Sequence, residues 1–275
     1  MRSTMMTIKV ISLILASLCL TGCDFLSNAI SDSWHSYKDK SEPFSPPQEN
    51  QWITVEGIAP KNTNFRLKSN YISNKCLSTH GTASMTIYKK PSHYWKRLNI
   101  SVDPVTGYFK EKIPFHGGGW CQWKINAISL SLHYIDVNHL IKGAVPYVGT
   151  GMYVIINDAE QTEPGVNAFN SIDYRPTIYP FLRRAYNTSD QIGLFDQSRN
   201  LAYFRLRLIR ENNFKINYIP TLDETKMPKI IVSENPPGVY PRGNARVEYP
   251  NGKIDLNSDS IDYCKINNTS QWKSQ

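Results

Sequence analysis

Long apolar runs are nearly absent from this 275-residue chain. One continuous stretch exists, Val10 to Leu20 (VISLILASLCL). At about eleven residues it spans roughly half of a ~30 Å hydrocarbon core, too short for a good permanent transmembrane helix. Long helices are also excluded, because 17 prolines and 15 glycines are spread along the sequence and interrupt helical ladders. Basic residues are scattered (Lys89-Lys90, Lys96-Arg97, Arg183-Arg184), with no block of five or six like charges that would suggest a nucleic-acid tail. There is no Cys-x-x-Cys pair, and His133 and His139 stand six apart rather than the three or four of a helical metal site. None of the six histidines pairs with a nearby acid in a recognisable motif, and no two carboxylates can be assigned to one cleft. No metal, other cofactor or small-molecule substrate is expected.

The N-terminus carries what the rest lacks. Arg2 and Lys9 precede the apolar run without any acid, the layout of a secretory signal. The run ends in Leu20-Thr21-Gly22-Cys23. This tetrapeptide resembles the lipobox of bacterial lipoproteins. The resemblance implies cleavage before Cys23, a diacylglyceryl thioether on Cys23, and anchoring at a membrane surface by more than one acyl chain. The following Asp24 resembles the inner-membrane retention signal of enteric bacteria, which implies an inner-membrane lipoprotein facing the periplasm.

Removal of residues 1–22 leaves 253 residues, with 29 basic and 23 acidic side chains and a balance of +6. A solvated basic surface beside anionic lipid accounts for that balance; a basic face steering an acidic protein partner is the sharper alternative. With lipid on Cys23, the mature chain keeps Cys76, Cys121 and Cys264. An oxidising compartment implies one disulfide and one spare thiol. Three pairings are open, and Cys76–Cys121 is favoured because both lie in the strand-rich first half.

Residues 23–50 read as the lipidated N-terminus and a tether, since Lys38 to Asn50 is polar and proline-rich and cannot bury a core. Residues 51–275 read as one β-rich periplasmic domain, with a possible subdivision in 157–200 where periodicity weakens. Ile128, Leu130, Leu132 and Tyr134 alternate with Ser129, Ser131 and His133, a strong strand signal. Met152–Ile156, Leu201–Ile209, Lys229–Val232, Ala245–Tyr249 and Lys253–Leu256 are further strands. Arg97–Val102 and Tyr108–Ile113 are expected to form a hairpin around the turn cluster Asp103–Gly107, and Asn251-Gly252 a two-residue hairpin turn. Short helices are compatible with Asp136–Lys142 and Pro180–Tyr186. The expected fold is mainly β, with sandwich-like or barrel-like antiparallel sheets and few short helices.

His116-Gly117-Gly118-Gly119-Trp120 is similar to the oxyanion-hole string of α/β-hydrolase lipases, in which glycines let N–H groups approach a developing oxyanion. The Gly-x-Ser-x-Gly elbow that this machinery needs occurs nowhere in the chain. The alternating strands also disagree with a doubly wound sheet, so the string reads as a flexible loop. Gly118, Gly119, Cys121, Trp123 and Lys124, together with Cys23, resemble the strand entry of lipoproteins encoded beside type VI secretion effectors. Several of those are immunity proteins that block a toxic enzyme. The resemblance implies partner binding and carries over no catalytic residue.

Residues 172–186 (IDYRPTIYPFLRRAY) concentrate tyrosine and arginine, the types enriched at interface hot spots. The expected partner-binding residues are Tyr174, Arg175, Tyr179, Arg183, Arg184 and Tyr186, extended by Arg205 and Arg207. Packing of the tyrosines on the core is the competing reading. The chain thus reads as a lipid-anchored binding or inhibitor protein rather than an enzyme, plausibly an immunity protein against an acidic secreted effector. A structural or assembly lipoprotein of an envelope machine is the alternative. Cys23→Ala should abolish metabolic labelling with a palmitate analogue; unchanged labelling refutes the lipobox assignment.

Overall fold

The computed structural model describes residues 44–83, 86–158, 168–169, 171–198, 201–208, 214–234 and 245–267. The expected signal peptide (residues 1–22), Cys23 and Asp24 lie outside them. Two compact units divide the chain. The described residues of the smaller are 44–48, 72–83, 86–94 and 116–124. The larger takes Glu49–Tyr71, Trp95–Phe115 and the described residues from Ile125 onward. The division therefore falls elsewhere than in 157–200, whose described residues belong to the larger unit.

The fold is mainly β. In chain order the strands are β1 (Trp52–Ile58), β2 (Thr63–Gly81), β3 (Ile87–Leu98), β4 (Tyr108–Pro114), β5 (His116–Gly118), β6 (Trp123–Tyr134), β7 (Val145–Pro146), β8 (Thr150–Asp158) and β9 (Ala168–Phe169). There follow β10 (Ser171–Tyr174), β11 (Thr177–Ala185), β12 (Gln191–Phe195), β13 (Leu201–Leu208), β14 (Phe214–Tyr218), β15 (Thr221–Leu222), β16 (Lys229–Val232), β17 (Ala245–Glu248) and β18 (Ile254–Leu256). The one helix among the described residues, α1, is the single turn Tyr263–Asn267.

One sheet runs β3-β2-β6-β8-β13-β9, with β5 beside β6; a second runs β10-β14-β1-β4. Within the larger unit these two sheets pack face to face. Phe65 of β2 lies 4.8 Å from Phe109 of β4 and 5.5 Å from Tyr218 of β14, between ring centroids. Tyr174 of β10 lies 5.1 Å from Phe204 of β13. This is sandwich packing. The third sheet runs β18-β17-β16-β11-β12-β7, with β15 off β11. Tyr179, Phe181, Phe195, Ile230, Val247 and Tyr249 form its core together with Ile266 of α1.

Strand β6 shows the period-two pattern most plainly. Leu130 and Leu132 are fully buried and Ile128 nearly so, whereas Ser129, Ser131 and His133 are half-exposed. Sheet formation follows the side-chain period, which sends successive residues to opposite faces.

Several expectations are corrected. The sheets are mixed rather than antiparallel: β1–β14, β10–β14, β8–β13 and β11–β16 all pair in parallel. Strands remote in sequence are thereby brought side by side. Tyr108–Ile113 does not pair with Arg97–Val102. Strand β4 instead pairs antiparallel with β1, in register Ile53↔Ile113 and Gly57↔Phe109, because Ile53, Val55, Phe109 and Ile113 share one buried face. The Asp103 turn still forms, and its carboxylate accepts the amides of Val105 and Thr106 at 3.0 and 2.7 Å. Pro180–Ala185 is strand and Tyr186 begins the following turn, with burial continuous from Ile178 to Leu182, the mark of a strand covered on both faces. Asp136–Lys142 forms successive turns rather than a helix. Asn251-Gly252 belongs to a longer loop. Tyr249 accepts from the Gly252 amide and donates its own amide to Lys253 O, and Gly252 takes a φ of 82°, a type I turn closed by a left-handed residue.

Truncating Leu130 to Ala should cost about 2–5 kcal/mol in urea unfolding, while Ser129→Ala on the opposite face should stay within ~0.5 kcal/mol. Similar losses at both positions contradict this assignment of faces.

Candidate interaction surfaces

The smaller unit is built around a clamp. Cys76 of β2 and Cys121 are joined by a disulfide, with Cα atoms 5.3 Å apart. These are the two cysteines favoured for pairing from the sequence; Cys264 in α1 is a free, half-buried thiol. Beside the bond, the buried Ser73 hydroxyl donates to Cys121 O at 2.5 Å and accepts the amides of Cys76 and Lys75. The Lys75 ammonium sits 4.1 Å above the Trp120 ring, a cation–π contact.

The glycine string is not a flexible loop. His116–Gly118 is strand β5, paired with β6 through a bulge. Its glycines make room for main chain that the sequence reading assigned to the tether. The Ser45 amide donates to Gly117 O at 2.9 Å, and Ser45 bridges Gly118. A Cβ on Gly118 would lie 1.8 Å from Ser45 O, and one on Gly117 would lie 2.3 Å from the Phe44 ring. Phe44 stacks on Tyr94 at 6.3 Å, and Tyr94 lies 5.6 Å from Trp123. Phe44 and Ser45, which fall in the expected tether 23–50, are therefore seated on the smaller unit.

From this clamp β2 and β3 extend as a two-stranded ribbon. The Thr82 amide closes its end on Thr86 O. Between Ile72 and Tyr94, Ser73, Cys76 and Ser92 are the buried residues among those described. Leu77, Ile87, Tyr88 and Tyr94 are exposed large apolar or aromatic side chains. His80 stacks on Tyr88 at 5.7 Å, and the Lys90 ammonium lies 5.0 Å over the same ring. The segments 72–94 and 116–124 contain Lys75, Lys89, Lys90 and Lys124 and no acid at all. The sequence signal for this was present but not used: no Asp or Glu falls between Glu56 and Asp103, or between Glu111 and Asp136.

In the larger unit the expected binding residues separate. Tyr174 and Tyr179 are buried and do not form surface. The Tyr174 hydroxyl donates to Asp196, and Tyr179 packs 5.8 Å from Phe195 and 5.7 Å from Tyr263. For these two the core reading holds: Tyr174 lies on the inward face of β10, and Tyr179 in the stretch of β11 that is buried on both faces. Arg175 is exposed and pairs with Asp173 at 2.9 Å, a contact worth little in water. Arg184 is exposed and makes a bidentate pair with Asp190 at 2.9 and 2.6 Å; Asp190 is thereby held below its ordinary carboxylate value. Tyr186 is 53% exposed. Arg183 donates to Gln191 at 3.1 Å and lies 5.6 Å over the Tyr147 ring. Arg183, Tyr147 and Asp259 rim a hollow of about 280 Å³ whose floor includes Phe181, Ile230 and Val232. Arg205 is half-buried on β13, next to Tyr203, which is 71% exposed. Strand β13 includes Arg207, whose side chain lies outside the described residues.

Two clusters carry titratable groups in close contact. Tyr134 donates to Glu224 at 2.8 Å, and His139 Nε2 lies 3.0 Å from the same oxygen. Burial, and then Glu224, raise the Tyr134 pKa, so the phenol stays protonated and ties β6 to the Glu224 turn. Asp196 is fully buried. Its carboxyl accepts from Tyr174 at 3.1 Å, from the Ser198 amide at 2.8 Å, and from the hydroxyls of Ser198 and Thr150. Burial outweighs these donors and raises its pKa. Tyr218 stacks on Tyr174 at 5.7 Å with planes 8° apart, and its buried hydroxyl has no hydrogen-bond partner among the described residues. In both clusters the polar groups are committed to holding strands and turns together. Among the described residues no group of His, Cys, Asp and Glu has the arrangement to hold a metal ion.

No family model matches the chain, and no curated protein or solved structure matches it either.

The Asp196 environment has a testable sign. Its folded-state pKa is raised, so its contribution to stability is complete below the ordinary value of 3.8 and is lost as pH rises through the folded value. Urea unfolding of the parent and Asp196→Asn across pH should show the parent losing stability relative to the variant as pH rises above 3.8. A difference that stays flat, or moves the other way, refutes the account.

Proposed function

We propose that the chain is a lipid-anchored periplasmic binding protein of the inhibitor type, an immunity protein that blocks an acidic, type VI-delivered effector. Cys23 carries the lipid and Asp24 retains the protein at the inner membrane. The observation that carries the binding half of this reading is the edge formed by Arg183, Arg184 and Tyr186. There a hollow with an apolar floor opens beside the Arg183 guanidinium and the exposed Tyr147 ring, and Arg184 and Tyr186 follow along the chain.

The chemistry suits inhibition. An anchor residue from the partner can enter the hollow while Arg183 meets a neighbouring carboxylate. Arginine forms planar, two-pronged pairs with carboxylates, and Arg184 already holds Asp190 in that way. Exposed Val145, Tyr147 and Val148 lie along the same stretch of chain and add the apolar contact that an interface core requires. A stable complex buries roughly 800 Å² on each partner, far more than this hollow, so the hollow is the centre of the contact and the surrounding strands its rim. Blocking an enzyme in this way needs a stiff complementary face and no catalytic group.

Deleting the gene should sensitise cells to siblings that deliver the toxin encoded beside it. Expression of Arg183→Ala/Tyr186→Ala should fail to protect, and the purified variant should bind that toxin at least about thirtyfold more weakly, the loss expected of a hot-spot residue. A deletion strain that remains resistant overturns the immunity reading.

A further inference from the structure

We propose that the β2–β3 ribbon of the smaller unit is a membrane-facing arm that lies against anionic phospholipid headgroups. The choice of lipid over protein rests on the anchored reading above. Phe44 and Ser45, at the end of the tether, are seated on this unit. The 21 peptide units from Cys23 to Phe44 span at most about 75 Å. The lipid on Cys23 therefore delivers this unit to the bilayer surface by its own chain.

The chemistry of the ribbon fits that surface. Lys75, Lys89 and Lys90 are exposed, and the segments 72–94 and 116–124 contain no carboxylate to repel phosphate. Lysine stems lie along apolar surface while their ammonium groups stay in water. Tyrosines prefer the headgroup level of a bilayer, and Tyr88 and Tyr94 are exposed on the same strand as the lysine pair, with Ile87 and Leu77 as apolar companions. Juxtamembrane lysines are attracted to anionic leaflets and act within a Debye length. The ribbon also exposes most of its described length. That form suits a planar surface of uniform charge better than a folded protein of particular shape. The hollow beside Arg183 belongs to the larger unit and is left for the protein partner.

The test uses the full mature chain carrying Cys23→Ala, so that no acyl chain contributes. Co-sedimentation is measured with vesicles of phosphatidylcholine alone and of phosphatidylcholine mixed equally with phosphatidylglycerol. Binding is expected to the mixed vesicles only, and to fall as salt is raised. Lys89→Glu/Lys90→Glu should lower partitioning at least about tenfold, with unchanged thermal unfolding, whereas Arg183→Ala should bind like the parent. Absence of binding to the mixed vesicles, or equal binding by the charge-reversed variant, overturns the proposal. So does a charge-reversed variant that loses the toxin while the parent ignores vesicles, which assigns the ribbon to the protein partner. Palmitate labelling of the wild-type chain is read separately. Vesicle binding without labelling sinks the anchor and keeps the arm, and labelling without vesicle binding does the reverse.

Discussion

Burial of one face along Ile128–Tyr134, the second half of β6, is the constraint on which much of the rest depends. Its inward residues are close to fully buried, each contributing about 1.5–3 kcal/mol on transfer from water. A slip of one residue would turn the whole set outward, so its register is strongly specified. That strand receives β2 on one side and β8 on the other, and β8 in turn holds β13. It also begins two residues after the disulfide cysteine, so the same element carries the clamp of the smaller unit and the central sheet of the larger.

The two units manage their polar groups differently. In the larger one, carboxylates are paired or hydrogen-bonded: Asp190 with Arg184, Asp255 with Lys265 and Tyr249, Glu56 with Lys215, and Asp196 with a ring of hydroxyls. Many are surface pairs of small energetic weight, but they neutralise the local field and leave an arginine–tyrosine edge as its specific feature. In the smaller unit the segments that form the ribbon contain lysine without acid. Their charge is uncompensated within those segments, and the disulfide holds that display in place. Lysine without acid thus marks the ribbon segments of the smaller unit, and mixed charge surrounds the hollow of the larger.

The sequence was readable where local periodicity decides structure. The β6 strand, β13, β16, β17 and β18 after residue 200, and the mainly β class were legible in this way, whereas β14 and β15 were not. It was not readable where a strand is buried on both faces or pairs at long range. Alternation disappears in Ile178–Leu182, which is why Pro180–Tyr186 read as helix-compatible and Tyr179 as surface. Pairing of β4 with β1 rather than with its sequence neighbour depends on a shared apolar face, which adjacency alone does not predict. The glycine string read as a flexible loop, because what approaches Gly117 and Gly118, Phe44 and Ser45, lies about seventy residues earlier in the chain.

By itself the sequence determined the short apolar run that ends in Leu20-Thr21-Gly22-Cys23, the scarcity of helix, the alternating strands, and the absence of acid along what becomes the ribbon. These are local or compositional properties, carried by residue identity and spacing. Only the tertiary structure decided which tyrosines are core, which arginine borders a hollow, that sheets mix parallel and antiparallel pairs, and that Phe44 and Ser45 pack against the glycine string. Those depend on contacts between residues far apart in the chain, and the burial that selects among such contacts exists only once the sheets have packed.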